Sequence, residues 1–261
     1  MSNRVVKTKA KPVGTQTLLR GLELLQCVGQ GLTTTKELTD ALDVPRSTVT
    51  RTLASLVSEG YLYQVPYRGY FLGARLIELG QLASEQVPLV DIARPYLESL
   101  AEITRDTVHF GICDGKEVVY LDKLSGMRGA EMRSRIGVRM PALVTGMGKA
   151  IVSKLDESQW PFFYSAAQEV QANDGERPSL RSYAEVAEDL RGSGKRGWTY
   201  DWEENEYGIR CVAAPICAPS GGMAAISVTS VISFMPEERM KALGPDIKAT
   251  ADAISQALNG P

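Results

Sequence analysis

The chain has 261 residues, 44% hydrophobic and 23% charged, with a net charge of −2, four cysteines and a single histidine. It has no run of 18 apolar residues, no apolar stretch behind its basic N-terminus and no C-x-x-C pair; this argues against a membrane span, a secretory signal, a disulfide framework and a zinc site, and a soluble cytoplasmic protein with reduced thiols is expected. The net charge conceals an asymmetry: residues 1–75 carry ten Lys/Arg against five acids and the remainder sums to −7, so a small basic module suited to a polyanion precedes a larger acidic one with another task.

Residues 1–14 are polar, Lys-rich and aperiodic, and read as a disordered basic tail. Leu18, Leu22 and Leu25 then recur at helical spacing up to Gly29 and Gly31. "TTTKELTDALDV" follows, with a capping cluster at Thr33 to Thr35 and a turn at Asp43; "VPRSTVTRTLASLVSEGY" opens with Pro45 at a helix start and carries Val49, Leu53, Leu56 and Val57 on one face. Three short helices with a tight turn predict a helix-turn-helix, and "YLYQVPYRGYFLG", β-prone with a turn at Tyr67 to Gly69, predicts a two-stranded wing.

With Val49, Leu53 and Leu56 turned to the core, Ser47, Arg51 and Ala54 lie opposite, flanked by Thr50 and Arg46. Such a small, hydroxylic, cationic face suits a major groove: hydroxyls and the helix N-terminus hold phosphates while an arginine reaches a guanine edge. The expected DNA-contacting set is Arg20, Arg46, Ser47, Thr48, Thr50 and Arg51, with Arg68 at the wing tip.

Residues 74–86 carry Leu76, Leu79, Leu82 and Ala83 at helical spacing and read as a linker helix that pairs with its copy. The expected divisions are 1–14 tail, 15–73 winged helix-turn-helix, 74–86 linker helix and 87–261 second domain. In that last part a helix after Pro88 leads into "TVHFGICDGKEVVYLDKL", a strand, Asp-Gly turn and strand; "EMRSRIG" is a third strand candidate, "TGMGKAIVSKL" a helix entered through glycines, and residues 156–194 are helical and loop-rich. "WTYDWEE", "RCVAAPICA" and, past the "PSGG" turn, "MAAISVTSV" return to strand before a last helix from Pro236 to about Leu258. Antiparallel strands with helices at either end define an α+β sensor-like domain.

Cys27, Cys113 and Cys217 read as small core residues and His109 as a hydrogen-bonded strand histidine. Arg133, Arg135 and Arg139 read as salt-bridged surface. Asp201, Glu203, Glu204 and Glu206 crowd "TYDWEENEYGIRC", but strand alternation turns only Thr199, Asp201 and Glu203 to one face, and the glutamates are expected to hold the turn at Asn205 to Gly208. Ser227 and Thr229, two apart on a strand, share one face, where two hydroxyls can donate to a carboxylate without adding charge.

In order along the chain, "RGLELL", "VPRSTVTRTLASLVSEGYL", "YFLGARLIELG", "RIGVRMPALVTGMGKAI", "DWEENEYGIRCVAAPI" and "AAISVTS" resemble the isocitrate lyase regulator (IclR) family of bacterial transcription factors. The resemblance implies a winged helix-turn-helix, a linker helix and a GAF/profilin-like effector domain, assembled as dimers or dimers of dimers on a palindromic operator, with no catalytic activity and no cofactor or metal. It implies a repressor in a catabolic pathway. It also implies that the positions matching Gly146, Met147, Asp201, Cys211, Ser227 and Thr229 line a site for a small carboxylate effector. Met140, Leu143 and Met147 are candidates for an apolar wall, and Thr229 stands where the family more often has serine. Because an ionised Asp201 repels an anion, the expected effector brings a donor, a hydroxyl or a hydrated keto group, as a hydroxy- or oxo-carboxylic acid can. The competing readings are a thiol-dependent enzyme and a redox sensor, both using Cys211.

Overall fold

Thr34 starts the second helix by a reciprocal cap, its Oγ1 accepting from Glu37 N (3.2 Å) while Glu37 Oε2 accepts from Thr34 N (2.9 Å); Asp43, left-handed at φ 49°, ends it. Such local signals place α1 Gln16–Gly29, α2 Thr35–Leu42 and α3 Arg46–Ser58 in the computed structural model, which describes residues 15–86, 88–128, 132–171, 178–217 and 223–259. The expected basic tail (1–14) and "PSGG" turn lie outside the described residues. The wing is β1 Leu62–Val65 and β2 Gly69–Leu72, antiparallel, and α4 is Ala74–Glu85. Gly69 is at φ 98°, and a Cβ there would fall 2.3 Å from the Thr33 carbonyl oxygen, so only glycine lets the wing lie against the start of α2. Leu24, Leu38, Val49, Leu53 and Leu62 form the core of this unit.

The chain divides into two compact units, 1–87 and 88–261. The second contains α5 Pro88–Thr104, β3 Thr107–Asp114, β4 Glu117–Leu124, β5 Arg139–Pro141, α6 Gly146–Val152, α7 Trp160–Gln171, α8 Tyr183–Arg196, β6 Thr199–Trp202, β7 Ile209–Cys217, β8 Met223–Val231 and α9 Glu237–Asn259. Its six-stranded sheet has the order β5-β4-β3-β8-β7-β6, every pairing antiparallel. One face buries Val108, Phe110, Val212, Ala214, Ile226 and Val228 against Leu97 of α5 and Ile247, Ala251 and Ile254 of α9. The other carries Val118, Ala213 and Ala225 under Met147, Ile151, Phe163 and Leu190 of α6 to α8. Alternation along each strand thus sends successive residues to two separate cores.

Two expectations are corrected. The third strand is not "EMRSRIG" but Arg139–Pro141: residues 132–136 are irregular, Gly137 turns at φ 84°, and only the residues beyond it pair with Glu117, Val118 and Val119. Alternating Arg and Ser mimic a strand, but a turn costs them the ladder. Cys217 is exposed and Cys113 half-buried, because both lie at or next to the last residue of a strand; Cys27 is buried as expected.

Candidate functional site

On α3 the exposed residues are Arg46, Ser47, Thr50, Arg51, Ala54, Ser55 and Ser58, while Val49 and Leu53 are buried. Among the described residues neither Arg46 nor Arg51 forms an ion pair, so both charges face solvent free to meet phosphate. Thr48 is half-buried and its carbonyl accepts from Thr52 Oγ1 (3.0 Å); Arg20 is half-buried on α1. Arg68 is exposed at the wing turn with its guanidinium 5.7 Å from the Phe71 ring centre. The helix face therefore gathers four of the seven expected residues, with Arg68 in the separate wing and Arg20 and Thr48 less accessible.

In the second unit strand register assembles a polar surface. Asp201 pairs with Cys211, Cys211 with Thr229 and Thr229 with Thr107; one rung along, Thr199 pairs with Ala213, Ala213 with Ser227 and Ser227 with His109. All lie on the face under α6, and around them a cavity of about 50 Å³ is lined by His109, Tyr120, Met132, Arg133, Ser134, Thr145, Gly146, Met147, Asp201, Asn205, Glu206, Ile209, Cys211, Ser227 and Thr229. Six of the seven expected effector residues meet here. Leu143 does not: it precedes α6 and packs into the core with Trp160 and Leu190, where Met140 also lies.

Gly146 permits the close approach of α6, since a Cβ there would stand 2.4 Å from Cys211 Sγ; at Gly148 it would stand 2.0 Å from the Ala142 carbonyl oxygen. The amides expected to await an anion are partly engaged, Gly148 N by Thr145 Oγ1 (3.0 Å) and Gly146 N by the Cys211 thiol. Burial first, then Asp201, pushes the Cys211 thiol well above its ordinary value, and the thiol points to Asp201 Oδ2 at 3.9 Å. A protonated, buried thiol is a poor nucleophile and a poor redox sensor.

Asp201 is 5% exposed and Oδ1 accepts from Glu204 N at 2.8 Å. Burial, then the Glu204 charge, pushes its carboxyl up to about 6 against the pull of Lys149. Lys149, fully buried one turn into α6, donates to Asp189 Oδ2 (3.0 Å), Glu204 Oε2 (2.6 Å) and Tyr200 O (2.6 Å). Arg181 joins the same two acids at 2.8 and 3.0 Å. Burial opposes the Lys149 charge, but Glu204, Asp189 and Asp201 together raise its affinity for the proton. Glu204 thus ties Lys149 of α6 and Arg181 just before α8 to the end of the strand bearing Asp201, whereas Glu203 holds the following turn, accepting from Gly208 N (3.0 Å) and Arg210 Nη2 (3.1 Å).

Sequence reasoning missed His109, Tyr120, Met132, Ser134, Thr145, Asn205 and Ile209 as lining, gave Glu206 to the turn, and set Arg133 aside, although Arg133 sits at the rim with Nε 3.4 Å from Glu206 Oε1. The one usable signal was His109 at the same alternation as the hydroxyls once β3 is laid against β8.

A winged helix-turn-helix with unpaired cations on its exposed helix, carried with a separate polar-lined pocket, is the make-up of a DNA-binding transcriptional regulator. Comparison with known proteins agrees: the IclR helix-turn-helix domain matches residues 17–66, and the C-terminal domain of the bacterial transcriptional regulator IclR matches residues 81–256. The chain belongs to the IclR family, and is on that ground a regulator and not an enzyme. It is 30% identical over 250 residues to the HTH-type transcriptional regulator XynR of Escherichia coli, covering 94% of this chain and 98% of XynR. To the transcriptional repressor IclR of the same organism it is 29% identical, covering 94% and 90%. The crystal structure of Thermotoga maritima IclR superposes with a TM-score of 0.72 at 27% identity, covering 94% of this chain and 100% of that one. No helix among the described residues is long and apolar enough to cross a membrane.

Proposed function

We propose that the protein is a dimeric repressor of a catabolic operon whose hold on a palindromic operator is modulated by a short hydroxy- or oxo-carboxylic acid bound among Ser227, Thr229, Asp201 and Gly146. The observation that carries this reading is the convergence of two buried hydroxyls and one carboxyl, pushed up to about 6, on the wall of a single pocket. The hydroxyls answer the ligand carboxylate. Asp201 answers the ligand hydroxyl as an acceptor, or shares a proton with its carboxylate, so the repulsion expected of a fully ionised aspartate is relieved. A volume of about 50 Å³, a few waters' worth at ~10–15 Å³ each, favours a short chain over an aromatic ring. Repression is supported by the role named for the IclR relative of Escherichia coli.

Dimerisation is supported by apolar side chains left in solvent on two helices of the first unit: Leu18 (64% exposed) and Leu22 (48%) on α1, Ile77 (77%) and Leu82 (46%) on α4. A two-fold pair would present two α3 helices to successive major grooves. The test is a thermal-shift screen of C2 to C6 hydroxy and oxo acids with the full chain, followed by gel shift on the upstream regions of neighbouring operons. A ligand at 100 times its Kd raises stability by ~2.7 kcal/mol; stabilisation by no acid at millimolar concentration refutes the carboxylate assignment.

A further inference from the structure

His109 is 3% exposed on β3, has both ring nitrogens engaged, and belongs to the pocket. Its Nε2 lies 2.7 Å from Ser134 Oγ; its Nδ1 lies 3.3 Å from Ser227 Oγ and 3.4 Å from Thr229 Oγ1. The Tyr120 ring meets it edge-on at 5.3 Å. Burial, and then the nearby Lys123, hold the imidazole neutral, with a pKa lowered to about 3. A neutral imidazole carries one proton, and its location decides what the two hydroxyls can do.

With the proton on Nδ1, the ring donates a shared bond to the Ser227 and Thr229 oxygens, both hydroxyl hydrogens are free to turn into the pocket, and Nε2 accepts from Ser134. With the proton on Nε2, Nδ1 must accept from Ser227 or Thr229. One hydroxyl hydrogen is then withdrawn and a lone pair faces the ligand. We propose that His109 selects the charge class of the effector: its Nδ1–H tautomer, held by Ser134, turns the Ser227 and Thr229 hydroxyls into a pair of donors and so favours a carboxylate over its uncharged amide. His109 acts through the two hydroxyls and is a positioning residue. The inference rests on the carboxylate reading above and adds to it the group that sets the pocket's polarity.

The chain's single histidine makes the test unambiguous. Full-length protein labelled with ¹⁵N at histidine is examined by long-range ¹H–¹⁵N correlation, free and with pyruvate, lactate, pyruvamide and lactamide; the same four probes are compared by thermal shift in wild type, His109→Leu and His109→Asn. The expected spectrum with a bound acid is the Nδ1–H tautomer. The expected preference of acid over amide falls about tenfold or more in His109→Leu, the scale of one lost bond to a charged group. It returns in His109→Asn, whose amide N–H takes the place of Nδ1–H. An Nε2–H ring in the acid-bound protein, or full acid preference in a folded His109→Leu, overturns the inference and leaves the carboxylate site standing. If pyruvate and lactate are silent, the best acid of the C2 to C6 screen and its amide take their place, and silence toward every acid of that screen overturns the carboxylate reading and the inference together.

Discussion

An Asp201 carboxyl held at about 6, against an ordinary 3.8, binds its proton more tightly in the folded chain than in the unfolded one. Stability therefore falls as pH rises from about 4 to about 6, and the deprotonation cost is fully present above that window. The difference corresponds to roughly 3 kcal/mol with the opposing pull of Lys149 already included. Asp201→Asn keeps an oxygen for Glu204 N, and is expected to stabilise the protein by ~1–3 kcal/mol at pH 7.5 and by little at pH 4, as read from urea unfolding. His109 works in the opposite sense: lowered to about 3 from 6.5, it takes up a proton on unfolding, so its contribution is present above pH 6.5 and lost as pH falls toward 3. Its ring resonances are expected not to titrate between pH 5 and 8 while the protein is folded. Gly146→Ala drives a methyl to 2.4 Å from Cys211 Sγ, an overpacking cost of ~1–3 kcal/mol; adding Cys211→Ala is expected to recover most of it, measured as a double-mutant cycle.

At the scale of elements, α3 and α4 carry the tests. Arg51→Ala is expected to weaken operator binding and reduce the slope of log K against log salt by about 1 if Arg51 meets a phosphate, or to relax sequence preference by ~1–3 kcal/mol at one base pair if it meets guanine. A charge at Ile77 or Leu82 on α4 should shift sedimentation from dimer to monomer and abolish operator binding while α3 stays folded. Helices were the legible part of the sequence, since the spacing of Val49 and Leu53, the Thr34 to Glu37 cap and the Asp43 stop are each encoded within one turn. Strand content was legible too, but pairing was not. Arg133 to Arg135 alternate as a strand would, yet Gly137 turns before the ladder begins. The ring of His109 joins Ser227 and Thr229 across 118 and 120 residues of chain, a distance over which local pattern says nothing. The burial of Lys149 was equally hidden, because its partners Asp189 and Glu204 come from α8 and the turn after β6. Leu143, apolar next to the pocket glycines, gave no sign of which side of its turn it would face.

Across the whole molecule, the charge split corresponds to two units with separate hydrophobic cores, one around Leu24, Leu38 and Leu53 and the others on either face of the six-stranded sheet. Residues 88–261 alone are therefore expected to fold and to be stabilised by the same acids as the full chain, without binding DNA. An acid bound at Ser227 and Thr229 is expected to change the affinity of α3 for its operator. Fluorescence anisotropy of an operator duplex, titrated with full-length protein at fixed salt with and without the best acid of the screen, tests it directly. In the wild type the acid is expected to shift the operator Kd at least fivefold, a coupling of ~1 kcal/mol or more, and in Ser227→Ala/Thr229→Val the operator Kd without acid should be unchanged and the shift absent. A shift that survives intact in the double variant, or an acid that binds the wild type tightly and leaves the operator Kd where it was, would contradict it.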